Sequence, residues 1–223
     1  MNLLEKFNIV PKDRHLYDVA FTHGSYGTKH GLDYTYERLE FLGDSVLNMI
    51  VSEYLYKQYP SYEEGKLTKL RANYVCQTAL IYYSHELSLD KHIKIYGDDS
   101  KITENEVLSI TADVFESFLG AIFLDQGIEF AKDYISKIIF PYIDAKKVFF
   151  FDYKSVIKEY GDAQEVDIEY KIIDECGVPH NKTFIISILI DGKEMGVGKG
   201  KNKKEAEQAA SKQAMKKLKI QKY

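Results

Sequence analysis

Apolar residues recur at three-to-four spacing through Leu16–Phe21, Leu39–Tyr56, Leu67–Tyr83 and Ile110–Leu124, which predicts an almost wholly helical first 140 residues. Breaks are expected at Pro60 to Gly65, Gly97 to Ser100 and Gly127, and no alternating run suggests a strand there. Past Pro141 the pattern changes. AKKVFFFDYK (145–154) reads as the linker region, with aromatics that suggest partial docking rather than free coil. Beyond it, Tyr153–Tyr160 reads as a short helix ended by Gly161. Ile168, Tyr170 and Ile172 alternate with Glu169 and Lys171, and Phe184, Ile186, Ile188 and Ile190 continue the alternation. Asp191-Gly192 supplies a hairpin turn, and a Gly-rich third strand covers Glu194–Gly200. Asn202 with Glu205 three residues on reads as a capping box, opening a helix that buries Ala206, Ala209, Ala210, Ala214 and Leu218. The expectation is an all-α domain over 1–144, a linker over 145–151, and a small α+β domain (α-β-β-β-α) over 152–221.

The most informative stretch is YERLEFLGDSVLNMI (36–50). Projected at about 100° per residue from Glu37, Glu40 falls at about 300° and Asp44 at about 340°. Leu39, Leu42, Val46, Met49 and Ile50 fall between about 120° and about 220°, and Gly43 beside them offers bare backbone for close packing. Three carboxylates thus share a narrow stripe opposite the expected core, with no lysine among them. In LSITADVFESFLGAIFLD (108–125), Asp113 and Glu116 share a second stripe with Ser109 and Gly120, while Val114, Phe115, Phe118 and Ile122 point elsewhere. Like charges at this spacing cost an isolated helix about 0.2–0.5 kcal/mol per pair. Unpaired carboxylates near a core cost more unless a cation compensates them. An oxygen-only donor set without His or Cys favours Mg²⁺ or Mn²⁺ over zinc. The competing reading pairs these acids with arginine, of which the chain has only Arg14, Arg38 and Arg71.

Composition and charge narrow the partner. The chain has 223 residues and a net charge of −4, which alone argues weakly against nucleic acid. Residues 1–150 hold 16 Lys and Arg against 22 Asp and Glu, a net of −6, whereas residues 151–223 hold 14 against 12, a net of +2. From Lys199 to Lys222 there are nine lysines against Glu205 and Glu207, a net of +7. An acidic front joined to a basic end suits a metal-dependent enzyme on a polyanion, although a solvated lysine face produces the same count. GKGKNKKEAEQAASKQAMKKL (198–218) places Lys203 and Lys204 in the first turn of a helix, where they oppose its dipole unless a phosphate bridges them. Lys199 and Lys201 extend the patch, and no interleaved aromatics offer the stacking platform of a single-strand binder. A cation held by carboxylates polarises a water and steadies charge on a phosphoryl group, so a phosphodiester is the natural substrate. The acids alone leave nuclease, phosphatase and nucleotide hydrolase open; the basic end favours the nuclease. No purely apolar run is long enough to span a bilayer, and Glu5 and Lys6 interrupt any leader-like stretch at the N-terminus. Cys76 and Cys176 spell no metal-finger spacing and read as reduced thiols in a cytoplasmic protein without a membrane partner.

Nearly the whole chain resembles bacterial ribonuclease III. ERLEFLGDS (37–45) resembles that family's signature stretch, and AFTHGSY (20–26), EEGKLTKLRA (63–72) and TADVFESFLGAIFLDQG (111–127) resemble its other helical blocks in order. DYKSVIKEY (152–160), the three strands and GKGKNKKEAEQAA (198–210) are similar to its double-stranded RNA-binding domain, which meets A-form RNA through shape, 2′-hydroxyls and phosphates. The resemblance implies an Mg²⁺-dependent homodimeric endonuclease, in which Mn²⁺ can substitute. It would cut double-stranded RNA to 5′-phosphate and 3′-hydroxyl ends with short 3′ overhangs. Ribosomal RNA precursors and other structured transcripts are the expected substrates. By motif position Glu40, Asp113 and Glu116 are implied as metal ligands, with Asp44 and Glu116 catalytic and Asp44 orienting the attacking water. Glu37 and Glu64 match auxiliary acids, and Phe41 matches the aromatic that inserts into the other subunit. Lys203 and Lys204 match phosphate-contacting lysines, and His180 matches a loop histidine that reaches a minor groove. Two positions depart from the family pattern: the loop reads GVPH (177–180) with its proline displaced, and Lys158 stands where glutamine is frequent. His23 reads as a structural histidine bonded across helices. An RNA-binding scaffold that lost catalysis is the alternative from another class, and the joint presence of Glu40, Asp44, Asp113 and Glu116 speaks against it.

Overall fold

The structure is a computed structural model that describes residues 3–97, 103–177 and 182–220. It divides into two compact units, Met1–Phe150 and Phe151–Tyr223. The first unit is built from α1 (Leu3–Lys6), α2 (Arg14–Ala20), α3 (Gly24–His30), α4 (Glu37–Gln58), α5 (Glu64–Val75) and α6 (Gln77–Leu87). After a 3₁₀ turn at Asp90–His92 come α7 (Glu104–Gln126), α8 (Ile128–Ile138) and α9 (Phe140–Asp144). An isolated parallel bridge joins Thr22 to Lys94.

α7 is the axis of this unit. It opens on a full capping box, Thr103 with Glu106. Phe115, Phe118, Leu119 and Ile122 are fully buried along it. The Phe118 ring is surrounded by Phe7, Tyr17, Phe21 and Tyr134, with centroids 5.8, 5.9, 5.4 and 5.9 Å away. Burying each such ring stabilises the fold by about 1.5–3 kcal/mol. By length and composition α7 could cross a membrane, contrary to the expectation from short apolar runs. However, 61% of its apolar window is buried within its own unit, and it carries Asp113 and Glu116. Its apolarity therefore belongs to a core helix.

Several elements differ from the sequence expectation, each for a local reason. The apolar spacing through Leu67–Tyr83 spans two helices, broken where Cys76 turns extended (ψ 157°). Tyr74 before the break and Ala79, Leu80 and Tyr83 after it are buried in one core, so the periodicity runs on across it. Gly65 lies in the first turn of α5 rather than in the break before it. On α4 the buried face is Leu39, Gly43, Val46, Leu47, Ile50 and Val51, and Met49 is 49% exposed. The core face is thus rotated toward the carboxylates, which border it instead of opposing it. In keeping with the docking that the aromatics of 145–154 suggest, residues 147–150 are bound to the first unit. Asn73 Oδ1 accepts from the amides of Phe149 and Phe150 at 2.8 and 2.9 Å, and its Nδ2 donates to the Lys147 carbonyl at 2.9 Å. The Lys147 ammonium sits 3.4 Å from the Tyr82 ring centroid and 4.8 Å from those of Tyr142 and Phe149.

The second unit runs α10 (Tyr153–Gln164), β1 (Ile168–Cys176), β2 (Thr183–Ile190), β3 (Lys193–Gly200) and α11 (Lys203–Lys217). The sheet is antiparallel in the order β1-β2-β3. Asp191 and Gly192 make its hairpin turn, both at positive φ (49° and 74°). Helix α10 continues through Gly161 to Gln164, because Gly161 is there for packing: a Cβ on it would meet Ile168 Cδ1 at 2.4 Å. β1 runs four residues past Ile172, with Ile173 bulged out of the ladder. Glycines at 196, 198 and 200 seat α11 against β3, where a Cβ would stand 2.6, 2.0 and 2.4 Å from α11 backbone atoms. The unit's core joins Ile157, Ile188, Ala210, Ala214 and Met215.

Candidate active site and basic face

The acidic stripes meet where α4 and α7 cross. A Cβ on Gly43 would lie 1.8 Å from the Glu116 carbonyl oxygen, and one on Gly120 would lie 2.3 Å from the Leu39 carbonyl oxygen. The two helices therefore touch backbone to backbone, as only glycines allow. Glu40 and Asp44 flank Gly43 on α4; Glu116 and Asp113 lie one and two turns before Gly120 on α7.

That arrangement is legible in the electrostatics. Burial, then the charges of Asp113, Glu37 and Asp44, push the Glu40 carboxyl up to about 7. Burial, then Asp44, Glu40 and Asp113, push Glu116 up to about 8. Asp113 is also raised by burial, against the opposing effects of a Tyr36 hydrogen bond and nearby His23. Among the described residues none of these four carboxylates forms an ion pair with lysine or arginine, so the arginine-pairing reading is not what the fold adopts. Arg71, for instance, donates to Ser52 Oγ at 2.9 Å. The side chains are within electrostatic reach of one another but not in a coordination shell: among the described residues no three His, Cys, Asp or Glu groups are gathered to hold a metal ion as they stand. Closing them on one ion takes side-chain rotation or intervening waters, and Mg²⁺ keeps several waters when bound. The donor chemistry fits such an ion: oxygen only, acidic and without an ion pair, with Glu40, Asp113 and Glu116 partly buried and Asp44 exposed beside them.

The other expected residues fall as follows. Glu37 is exposed at the start of α4 and adds to the charge at Glu40. Glu64 begins α5, accepts from Thr68 Oγ1 at 2.9 Å, and adds nothing to the field at Glu40, Asp113 or Glu116. Phe41 is 78% exposed, on a face of α4 with Met49 and with Tyr56 at 73%. His23 caps α3, its Nδ1 accepting from the Ser25 amide at 3.2 Å. Two partners escaped the sequence reading. The Tyr36 hydroxyl donates to Asp113 Oδ2 at 3.0 Å, and Asn48 Nδ2 donates to Asp44 Oδ1 at 2.6 Å. Asn48 was findable, since it lies four residues after Asp44 on the same face; Tyr36 joins α4 to a residue 77 positions away. Behind Asp113 lies a cavity of about 270 Å³ lined by His23, Tyr36, Tyr96, Glu106 and Asp113 among others.

In the second unit Lys199, Lys201, Lys203 and Lys204 are all exposed, on the end of β3, the turn and the first turn of α11. Asn202 Oδ1 caps α11 by accepting from the Glu205 amide at 2.9 Å. Glu205 reaches one residue further back than a capping box requires, accepting from the Lys201 amide at 2.9 Å. This carboxylate holds the lysine-bearing turn against the helix start. Lys158 is exposed on α10. His180, with Val178 and Pro179 of the GVPH loop, lies outside the described residues.

Comparison with known proteins places both units. A ribonuclease-III-like family matches residues 13–143, and the double-stranded RNA binding motif matches residues 153–218. Ribonuclease 3 of Anoxybacillus flavithermus is 43% identical over 221 residues, covering 96% of this chain and 92% of that protein. Ribonuclease 3 of Latilactobacillus sakei is 43% identical over 209 residues, covering 92% and 90%. Among solved structures, the nuclease domain of ribonuclease III from Campylobacter jejuni is similar with a TM-score of 0.56 and 36% identity. It covers 61% of this chain and 93% of that one, and its description refers to a region involved in dimer formation.

Proposed function

This chain belongs to the ribonuclease III family, and from that premise we propose that it is a divalent-metal-dependent endoribonuclease whose reaction centre is the α4–α7 crossing. Family membership makes it an endoribonuclease, and its second unit is a double-stranded RNA-binding domain. The observation that carries the finer reading is the convergence of four carboxylates without an ion pair at this crossing, with Glu40, Asp113 and Glu116 held above the usual carboxylate range.

In this reading Glu40, Asp113 and Glu116 hold the cation, Mg²⁺ or Mn²⁺. When bound, the ion supplies positive charge to the scissile phosphate and acidifies a water. Asp44, fixed by Asn48, orients the attacking water and draws its proton. The water oxygen bonds to phosphorus as the bond to the 3′-oxygen breaks. The departing oxygen takes up a proton, leaving a 5′-phosphate and a 3′-hydroxyl. Tight glycine packing beneath the acids limits their drift, which favours in-line geometry. Glu37 and Glu64 serve as auxiliary acids.

Two active sites offset across a homodimer account for short 3′ overhangs on a duplex. The exposed Phe41, Met49 and Tyr56 face on α4 supports that dimer, since large apolar patches mark interfaces. Lys199, Lys201, Lys203 and Lys204 contact phosphates, with His180 at a minor groove. Ribosomal RNA precursors and other structured transcripts are the substrates. Free Cys76 and Cys176 suit a reducing compartment and so a cytoplasmic site of action.

The test is end-labelled duplex RNA incubated with Mg²⁺, with EDTA, and with Glu116→Gln. Cleavage by the wild type in Mg²⁺ only, with Glu116→Gln inactive yet still retaining duplex in Ca²⁺, is the expected result. An intact duplex in every lane leaves an RNA-binding scaffold; loss of binding by Glu116→Gln makes that residue structural.

A further inference from the structure

We propose that Tyr36 is the positioning residue of this site, a phenol that holds Asp113 in the orientation from which it meets a divalent cation. The inference rests on the cation reading above and adds a residue to it.

Four hydrogen bonds converge on Tyr36. Its hydroxyl donates to Asp113 Oδ2 at 3.0 Å, across from α4 to α7. Its amide donates to the Thr22 carbonyl at 2.9 Å, and its carbonyl accepts from the amides of Leu39 and Glu40, each at 2.9 Å. One residue therefore fixes the start of the helix carrying Glu40 and one oxygen of the carboxylate facing it. Tyr36 is only 5% exposed, and its ring lies 5.8 Å from that of His23, so the phenol has little freedom to leave. The geometry has a direct chemical consequence. With Oδ2 accepting from the phenol, Oδ1 is the oxygen left to turn toward the crossing. A carboxylate so fixed loses less rotamer entropy on binding a cation, and outer partners of this kind are worth about 10–100-fold in metal affinity.

A comparable phenol–carboxylate pair elsewhere in the same unit provides a control. The Tyr17 hydroxyl donates to Asp125 Oδ2 at 2.8 Å, but Asp125 also accepts from the amides of Lys12 and Asp13. It ties the start of α2 to the end of α7 and has no part in the acidic crossing.

The experiment is Mn²⁺ titration of the full-length, RNA-free protein, followed by calorimetry and by Mn²⁺ electron resonance. Wild type, Tyr36→Phe and Tyr17→Phe are compared, and thermal unfolding in EDTA is recorded for each. Tyr36→Phe removes a single oxygen from the ring. It is expected to weaken Mn²⁺ binding about 10-fold while keeping the wild-type ring packing and unfolding midpoint within about 2 °C. Saturating Mg²⁺ should then restore most of its duplex cleavage, so the defect falls on metal affinity rather than on kcat. Tyr17→Phe is expected to bind Mn²⁺ as the wild type does. Equal Mn²⁺ affinity for wild type and Tyr36→Phe overturns the assignment alone. So does a weakening matched by Tyr17→Phe, or one accompanied by an equal loss of fold stability. If the wild type itself binds no Mn²⁺, the cation reading falls and the role of Tyr36 with it.

Discussion

Gly43→Ala adds one carbon at the helix crossing, and the structure fixes what that carbon meets. It would stand 1.8 Å from the Glu116 carbonyl oxygen, 2.5 Å from the Glu116 carbonyl carbon and 3.1 Å from the Gly120 amide nitrogen. Cβ atoms essentially never approach within 3.0 Å, so α4 and α7 must separate locally by at least 1.2 Å, the gap between 1.8 and 3.0 Å. All three atoms belong to backbone, and no side chain can rotate out of the way. Overpacking of this kind costs about 1–3 kcal/mol. Each kcal/mol lowers the unfolding midpoint by about 2–4 °C for a unit of this size. The catalytic loss is larger, because misplacing reacting groups by about 1 Å costs about 100-fold in rate. Gly65→Ala is the matched control: nothing lies within 4 Å of its Cβ, in the first turn of α5. That change should leave cleavage untouched and add up to about 1 kcal/mol of stability. Circular dichroism melts and initial rates on labelled duplex RNA read both effects. A Gly43→Ala protein with the wild-type midpoint and a rate within twofold of wild type refutes the reasoning.

The pH dependence has a definite sign. Glu40 and Glu116 rise from 4.5 to about 7 and about 8, so the folded metal-free chain holds protons that the unfolded chain releases. Its stability should fall as pH rises from about 4.5 to about 8, and Mg²⁺ should reverse the trend; rising stability over that window in EDTA contradicts the burial of these acids. By the same competition between protons and cation, half-maximal cleavage should need more Mg²⁺ at pH 6 than at pH 8. Lys203→Ala with Lys204→Ala should weaken duplex binding equally across sequences and reduce the salt slope by about 0.9 per lost phosphate contact; an unchanged slope removes both lysines from the RNA face. Phe41→Ala should shift the solution mass measured by sedimentation from dimer toward monomer, and a wild-type dimer retained at low micromolar concentration moves the interface elsewhere.

Much of this was legible because the chemistry is periodic. Glu40, Asp44, Asp113 and Glu116 announce themselves by repeating on helix faces without a lysine, and Gly43 and Gly120 sit where a close crossing needs bare backbone. The Asp191-Gly192 turn and the Asn202 cap are local, and both form. The rest depended on partners distant in sequence. Tyr36 points to Asp113, 77 residues on, and nothing beside Tyr36 hints at it. Met49 continues the apolar period of α4 yet is half-exposed, because the face toward α7 is set by the glycine contact rather than by the centre of the apolar arc. Gly161 resembles a helix stop but serves Ile168, and Cys76 interrupts a period that both flanking helices share. Asn73, which anchors residues 147–150, carries no sequence signal at all.

Anomalous diffraction from crystals soaked in Mn²⁺ reports on the acidic crossing without passing through activity. A peak is expected between α4 and α7, about 2.0–2.3 Å from oxygens of Glu40, Asp113 and Glu116 and bridged by water to Asp44. A soaked crystal whose Mn²⁺ lies elsewhere, or whose four carboxylates engage only protein groups, contradicts this placement.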